Sequence, residues 1–194
     1  MNKRTIALLL NLSLVILGTI GLAWCFFENI PNILLYYTTD SNILAVISSL
    51  LFIIFFNKDY KWVRDLRYIA TCCLGVTFFV VLFILAPQLG GIKALMFTGF
   101  YLFLHFLCPL ISIISNLVFE RIDSNPFVPL IATGIYAITL IILNLVNYID
   151  GPYPFLRIRH QPFLMTILWI IIIFFLNLII NGIIFWGSNK IKEK

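Results

Sequence analysis

An all-α integral membrane protein, a single bundle of six transmembrane helices, is what this sequence predicts, and three observations carry the prediction. Of the 194 residues, 62% are hydrophobic and only 11% are charged, against roughly 25% charged in a soluble domain. Apolar runs near or above the roughly 20 residues that cross a bilayer recur six times, at about 5–27, 34–56, 67–86, 94–119, 126–147 and 163–186. The connections between them are short and no repeat period is visible, so residues 1–194 read as one polytopic transmembrane domain.

The first run follows Met1-Asn2-Lys3-Arg4 and stays apolar to Phe27. That is longer than the core of a signal peptide and has no small-residue cleavage site, so a true first helix is expected. The second opens on YYTTDSN, Tyr36 to Asn42, the most polar heptapeptide inside any of the long apolar runs. With a helix start at Pro31 or Asn32, Thr38, Ser41, Asn42, Ala45 and Ser49 share one face, and Thr38 lies about two turns below the external surface. Asp40 falls on a different face, toward another helix, the interface, or a cation such as Lys93, Arg157 or Arg159. As a plain alternative, the heptapeptide is a wet helix end. The third run holds Cys72 and Cys73, and these with Cys25 and Cys108 lie within spans without ligand spacing, which points to buried free thiols rather than a metal site or disulfides.

On the fourth run Thr98, Tyr101, His105, Cys108, Ser112 and Ser115 recur at steps of three and four and form one inward stripe. His105, about eleven residues into that run, is expected roughly 16 Å along the helix, near the bilayer midplane. Its charged form is costly there, so a neutral imidazole is expected, and an ionisable side chain inside a membrane is a functional candidate by default. Pro109, four residues on, would free the carbonyl of His105 and kink the helix. Thr133, Tyr136, Asn144 and Asn147 mark a stripe on the fifth run, Thr166, Asn177 and Asn181 on the sixth, and Asn11, Gly18, Gly21 and Cys25 on the first. Six helices thus enclose a polar seam, although small and weakly polar residues also serve plain helix packing. Between the fifth and sixth runs, Gly151, Pro152, Pro154 and Pro162 exclude a continuous helix. Tyr148, Tyr153 and Phe155 are placed there as interfacial anchors. Arg157, Arg159 and His160 either hold a lipid phosphate or rest among headgroups.

Ten of the thirteen Lys and Arg residues fall at the amino terminus, in the second and fourth connections and in the tail (Lys190, Lys192, Lys194). By the positive-inside rule both termini face the cytoplasm, as an even number of spans requires, in what is expected to be the plasma membrane. The net charge of +5 is thereby spent on topology and anionic headgroups, and nucleic-acid binding is excluded as a function class.

The chemistry these residues permit is nucleophilic acyl transfer: a hydroxyl needs a base to take its proton, and neutral His is the usual partner. Asn42 is the candidate donor to a developing oxyanion. YYTTDSN on the second span, HFLCP on the fourth and YIDGPYPFLRI before the sixth, in this order, resemble the androgen-induced-gene family of multi-spanning membrane proteins and its bacterial relatives. Each motif is short; the match covers most of the chain. The Gly-Pro of GPYPFL departs from the aromatic-rich Tyr-Pro pair of that family's loop. Animal members are intramembrane threonine hydrolases of branched fatty-acid esters of hydroxy fatty acids.

The resemblance implies Thr38 as nucleophile, with Thr39 or Ser41 as fallback, and His105 as base, in a lipid-ester hydrolase or acyltransferase that needs no metal or dissociable cofactor. Ser41, Asn42, Tyr101, Asp40, Asn144 and Arg157 are the candidates for contact with a fatty-acid ester or other membrane lipid. Two further readings stand beside it: a carrier or channel for a small polar solute or proton through His105, Asp40, Tyr101 and Asn144, and a lipid-binding protein without chemistry.

Overall fold

The computed structural model describes residues 2–192, and their side chains through residue 189. The tail cations Lys190, Lys192 and Lys194 counted above lie outside those described side chains. Six helices long and apolar enough to cross a membrane make up the chain: α1 (Lys3–Phe27), α2 (Tyr37–Ile54), α3 (Lys61–Gln88), α4 (Leu102–Phe119), α5 (Val128–Leu145) and α6 (Phe163–Lys192). No strand occurs among the described residues. The protein is an all-helical integral membrane bundle in which α3 is the most enclosed helix and α6 the most outward-facing.

Glycines set how closely the helices approach. A Cβ at Gly21 of α1 would sit 2.6 Å from Phe103 Cβ of α4, and one at Gly18 would sit 2.5 Å from Val46 of α2. The inward stripe expected on α1 is therefore a packing seam, with Asn11, Gly18, Gly21 and Cys25 all buried.

Three helix boundaries differ from expectation. α2 starts at Tyr37, because Asn32 in the left-handed region (φ +52°) opens only a 3-10 turn at Ile33–Leu35 and Tyr36 after it is extended (φ −89°, ψ 123°). Thr38 is thus the second residue of α2 rather than two turns inside it. α3 starts at Lys61, so Arg64 and Arg67 are helical rather than loop residues; a Lys61–Asp65 pair (2.6 Å) closes its first turn. The expected 94–119 span is broken: Ile92–Met96 form a separate short helix, Gly99 takes φ +56°, and α4 begins only at Leu102. His105 is therefore the fourth residue of α4, about 5 Å in rather than about 16 Å. Thr98, first in the expected stripe, precedes the helix and is exposed.

Wide π-helical turns at Val81–Leu85 and Leu102–Leu107 each stand two residues before a proline, Pro87 and Pro109. In the second, Cys108 N–H donates to the carbonyl of Phe103, five residues back. Continuing that register, Pro109 would reach the carbonyl of Leu104 but has no N–H to give. The amide of Asn42 on α2 donates to that carbonyl instead, at 3.0 Å. The freed carbonyl is thus satisfied by a neighbouring helix, and it belongs to Leu104, not to His105 as the sequence suggested.

The buried polar side chains of α1 to α4 gather in two clusters rather than one seam, while Thr133, Asn144, Asn177 and Asn181 are buried on α5 and α6. One cluster lies where α2 begins, with Thr38, Ser41, Asn42, Thr77 and His105. The other lies toward the end of the bundle that carries the termini. There Arg67 and Glu120, both buried, pair at 3.0 Å, and Ser115, Asn11 and Asn116 also donate to the carboxylate. Between the clusters Leu14, Ala45, Ala70, Leu74 and Cys108 form a fully buried apolar layer.

Candidate functional site

The first turn of α2 has no side-chain cap, so its leading N–H groups need other partners. They donate to phenols from two other parts of the chain: Tyr37 N to the Tyr136 hydroxyl of α5 (3.0 Å) and Thr38 N to the Tyr153 hydroxyl of the 148–162 connection (3.4 Å). Tyr136 in turn donates to the carbonyl of Leu35 at 2.7 Å. The polar heptapeptide is therefore a helix start held inside the bundle by tyrosines.

Against that turn stands His105. Its Nδ1 lies 2.6 Å from the carbonyl of Leu95, on the short helix Ile92–Met96. A carbonyl only accepts, so Nδ1 carries the proton, and the neutral ring presents an unprotonated Nε2. That Nε2 lies 3.2 Å from Thr38 Oγ1, so the threonine hydroxyl donates to it. Tyr101 stacks on the imidazole, centroids 4.9 Å apart and planes 17° apart, which fixes the ring's remaining freedom. A hydroxyl donating to a basic nitrogen, whose far nitrogen is anchored, is the arrangement of an activated nucleophile.

Thr38 also lines a cavity of about 270 Å³. Its walls are almost wholly apolar, with Val80 and Leu85 from α3, Ile138 from α5, and Trp169 and Ile173 from α6. Ile138, Ile170 and Phe174 line it and are also exposed on the outer surface, so it opens sideways between α5 and α6. His105 does not line it and approaches Thr38 from behind.

The other candidates fall into distinct places. Ser41 does not meet the imidazole; it donates to the Thr38 carbonyl (3.1 Å) and bonds Thr77 (2.9 Å). Asn42 is corrected as an oxyanion donor: its amide donates to the carbonyls of Thr38 (2.8 Å) and Leu104 (3.0 Å), which occupies both protons. Asp40 is half-buried on the first turn of α2 and makes no ion pair among the described residues, with Lys93, Arg157 or Arg159 or otherwise. Arg159 joins His160 on Asp150 instead, at 3.1 and 2.7 Å. Arg157 is exposed. Asn144 lies apart from the Thr38–His105 pair and pins the connecting segment by donating to the Leu156 carbonyl (3.0 Å). Asn147 is exposed beyond the end of α5.

Tyr153 is the residue the sequence reading misplaced. It and Phe155 are buried and stack at 5.3 Å, 9° between planes, while Tyr148 alone of the three expected anchors is exposed. Gly151 (φ +79°) makes the fold-back possible, since a Cβ there would lie 2.5 Å from the Leu156 carbonyl. Burial pushes the Tyr153 phenol up to about 12, so it is neutral at physiological pH and has a proton to donate. The proline-rich GPYPFL sequence was the available signal, because a segment so constrained can carry a side chain to a fixed place.

Cys25, Cys72, Cys73 and Cys108 are buried free thiols. No group of three His, Cys, Asp or Glu side chains among the described residues is arranged to hold a metal ion. No protein-family model, curated protein or solved structure matches the chain.

Proposed function

We propose that the protein is an intramembrane lipid-ester hydrolase or acyltransferase, in which Thr38 is the nucleophile and His105 the general base. The observation that carries this reading is the hydrogen bond from Thr38 Oγ1 to His105 Nε2 at 3.2 Å, with Nδ1 anchored on Leu95. Thr38 Oγ1 attacks the ester carbonyl carbon as its proton passes to Nε2. The ester C–O bond breaks, the imidazolium returns the proton to the departing alcohol, and an acyl-threonine remains. Water, or a second alcohol, attacks that ester with the same proton relay and releases the acid or a new ester. The Tyr153 hydroxyl, which accepts from Thr38 N, keeps its own proton for the tetrahedral oxyanion. The apolar cavity beginning at Thr38 suits an acyl chain arriving from the bilayer.

The reading places the protein as a bacterial-type member of the androgen-induced-gene family, in the plasma membrane. Both termini are cytoplasmic by the positive-inside rule, so the Thr38 site lies toward the external face. Fluorophosphonate labelling of the detergent-solubilised protein, with the adduct located by mass spectrometry, tests it together with turnover of fatty-acid esters. An adduct on Thr38 that disappears in His105→Ala, and loss of turnover in Thr38→Ala and His105→Ala, are expected. Wild-type turnover by either folded variant would overturn the assignment.

A further inference from the structure

At the opposite end of the bundle from Thr38, a second cavity of about 210 Å³ is bordered by Arg4 of α1, Arg64 of α3 and Arg121 just after α4. Its walls are aromatic, with Phe52, Phe56 and Phe119 among them. Three guanidiniums around one aromatic-walled hollow at a membrane surface are more than topology requires, and their pairing is incomplete. Arg64 holds Asp59 (2.8 Å), which also borders the hollow, and Asp123 (2.7 Å) through its terminal nitrogens. Arg4 lies over the Phe56 ring at 4.6 Å and donates to the Phe56 carbonyl, and it has no carboxylate partner among the described residues. Arg121 shares Asp123 with Arg64 and is largely exposed. Glu120 also borders the hollow, but its carboxylate is engaged by Arg67, Ser115, Asn11 and Asn116. Three guanidiniums stand here against two carboxylates, Asp59 and Asp123, that pair with them, and the positive charge left over on Arg4 suits an oxyanion with several acceptors, which is the chemistry of a phosphate group.

We propose that this hollow is a binding site for a phosphate-bearing ligand of net negative charge, with Arg4, Arg64 and Arg121 as its donors. The headgroup of an anionic phospholipid in the adjoining leaflet is the source that fits best, because the aromatic walls and the membrane end suit an amphiphile. The site is independent of the ester chemistry at Thr38. The test is thermal unfolding of the purified protein in maltoside detergent, followed by tryptophan fluorescence. Short-chain phosphatidylglycerol, phosphatidylcholine and inorganic phosphate are titrated separately at constant ionic strength.

Saturable stabilisation by phosphatidylglycerol is expected, with the half-effect concentration raised at least tenfold in Arg4→Gln and in Arg121→Gln. It should be unchanged in Arg159→Gln at the other end. Arg64 is left intact because it holds two carboxylates, and Arg121→Gln, on an exposed side chain, serves should Arg4→Gln not fold. The same Arg4-dependent saturation by inorganic phosphate alone would uphold the site and assign it to free phosphate. Equal effects of phosphatidylcholine and phosphatidylglycerol, or wild-type behaviour of both arginine variants, would overturn the proposal.

Discussion

Replacing either partner of the buried Arg67–Glu120 pair is expected to destabilise the protein more than replacing both. The guanidinium of Arg67 and the Glu120 carboxylate meet at 3.0 and 3.3 Å, and neither side chain has meaningful contact with solvent. Arg67→Met leaves the carboxylate buried with only the neutral donors Ser115 (2.6 Å), Asn11 (3.0 Å) and Asn116 (3.4 Å). Glu120→Gln leaves a buried guanidinium whose remaining partners, Ser48 and Ser112, stand at 3.4 Å. Each single change removes the counter-charge of a desolvated ion, which costs about 3–5 kcal/mol. The double variant buries no charge and loses only hydrogen-bond complementarity, about 1–3 kcal/mol. The coupling should therefore exceed about 2 kcal/mol, with the double variant more stable than either single one. Sodium dodecyl sulfate unfolding in mixed micelles, read by circular dichroism at neutral pH, gives all four corners of the cycle. Additive single effects, or single changes costing under about 1 kcal/mol, would refute the argument that these charges are held away from water by each other.

Three more outcomes follow from the geometry. Tyr153→Phe keeps the stack on Phe155 but removes the phenol beside Thr38, so ester turnover should fall roughly 10²-fold in kcat with KM little changed; an unchanged kcat in steady-state assays would remove Tyr153 from the chemistry. Gly21→Val puts a side chain where a Cβ alone already lies 2.6 Å from Phe103 and 2.8 Å from Leu104, and should cost about 1–3 kcal/mol in the same unfolding assay. Acid should destabilise the protein. Burial acts to raise the Glu120 and Asp123 carboxyls, but the arginines beside them outweigh it, Arg67 for the first and Arg121 with Arg64 for the second, and hold both below their ordinary values of 4.5 and 3.8. The unfolded chain then binds more protons near those values, so this stability is complete above about pH 4.5 and is lost as pH falls from there. Unfolding midpoints measured from pH 7 to pH 3 should decline only in the acid half of that range.

The six spans could be read from hydropathy because lipid selects for apolar length, and length is visible along the chain. Their ends could not. The break before α4 lies in an apolar stretch, and the backbone at Gly99 reveals it, so hydropathy alone puts His105 about two turns too deep. The start of α3 was hidden for the opposite reason: Arg64 and Arg67 look like loop residues until Asp59, Asp123 and Glu120 are found beside them, the last two more than fifty residues away in sequence. For the site, residue type and order named Thr38 and His105, while their 3.2 Å separation depends on two helix starts that the sequence misjudged in the same direction. Asn42 was assigned to chemistry when Pro109 had already claimed it, since a proline that withholds an N–H from Leu104 creates a need that the neighbouring amide meets.

The distribution of polarity bears on which of the competing readings has physical means. A carrier or proton path needs hydrogen-bonding groups or water through the whole thickness of the bundle, because a charge crossing a dry segment meets a large desolvation cost. Here the sequence of polar stripes suggests such a path, but in space α2 passes from Asn42 through Ala45 to Ser48, α3 from Thr77 through Leu74 to Thr71, and α4 from His105 through Cys108 to Ser112. The intervening side chains meet one another and Leu14 in a layer with no exposed surface. Along α2, α3 and α4 the two polar clusters are thus insulated, each at its own end, and the further buried amides Asn177 and Asn181 stand on α6. The proposed reaction needs no continuity of that kind; it needs a hydroxyl, an imidazole beside it and an apolar cavity, and these three meet at Thr38.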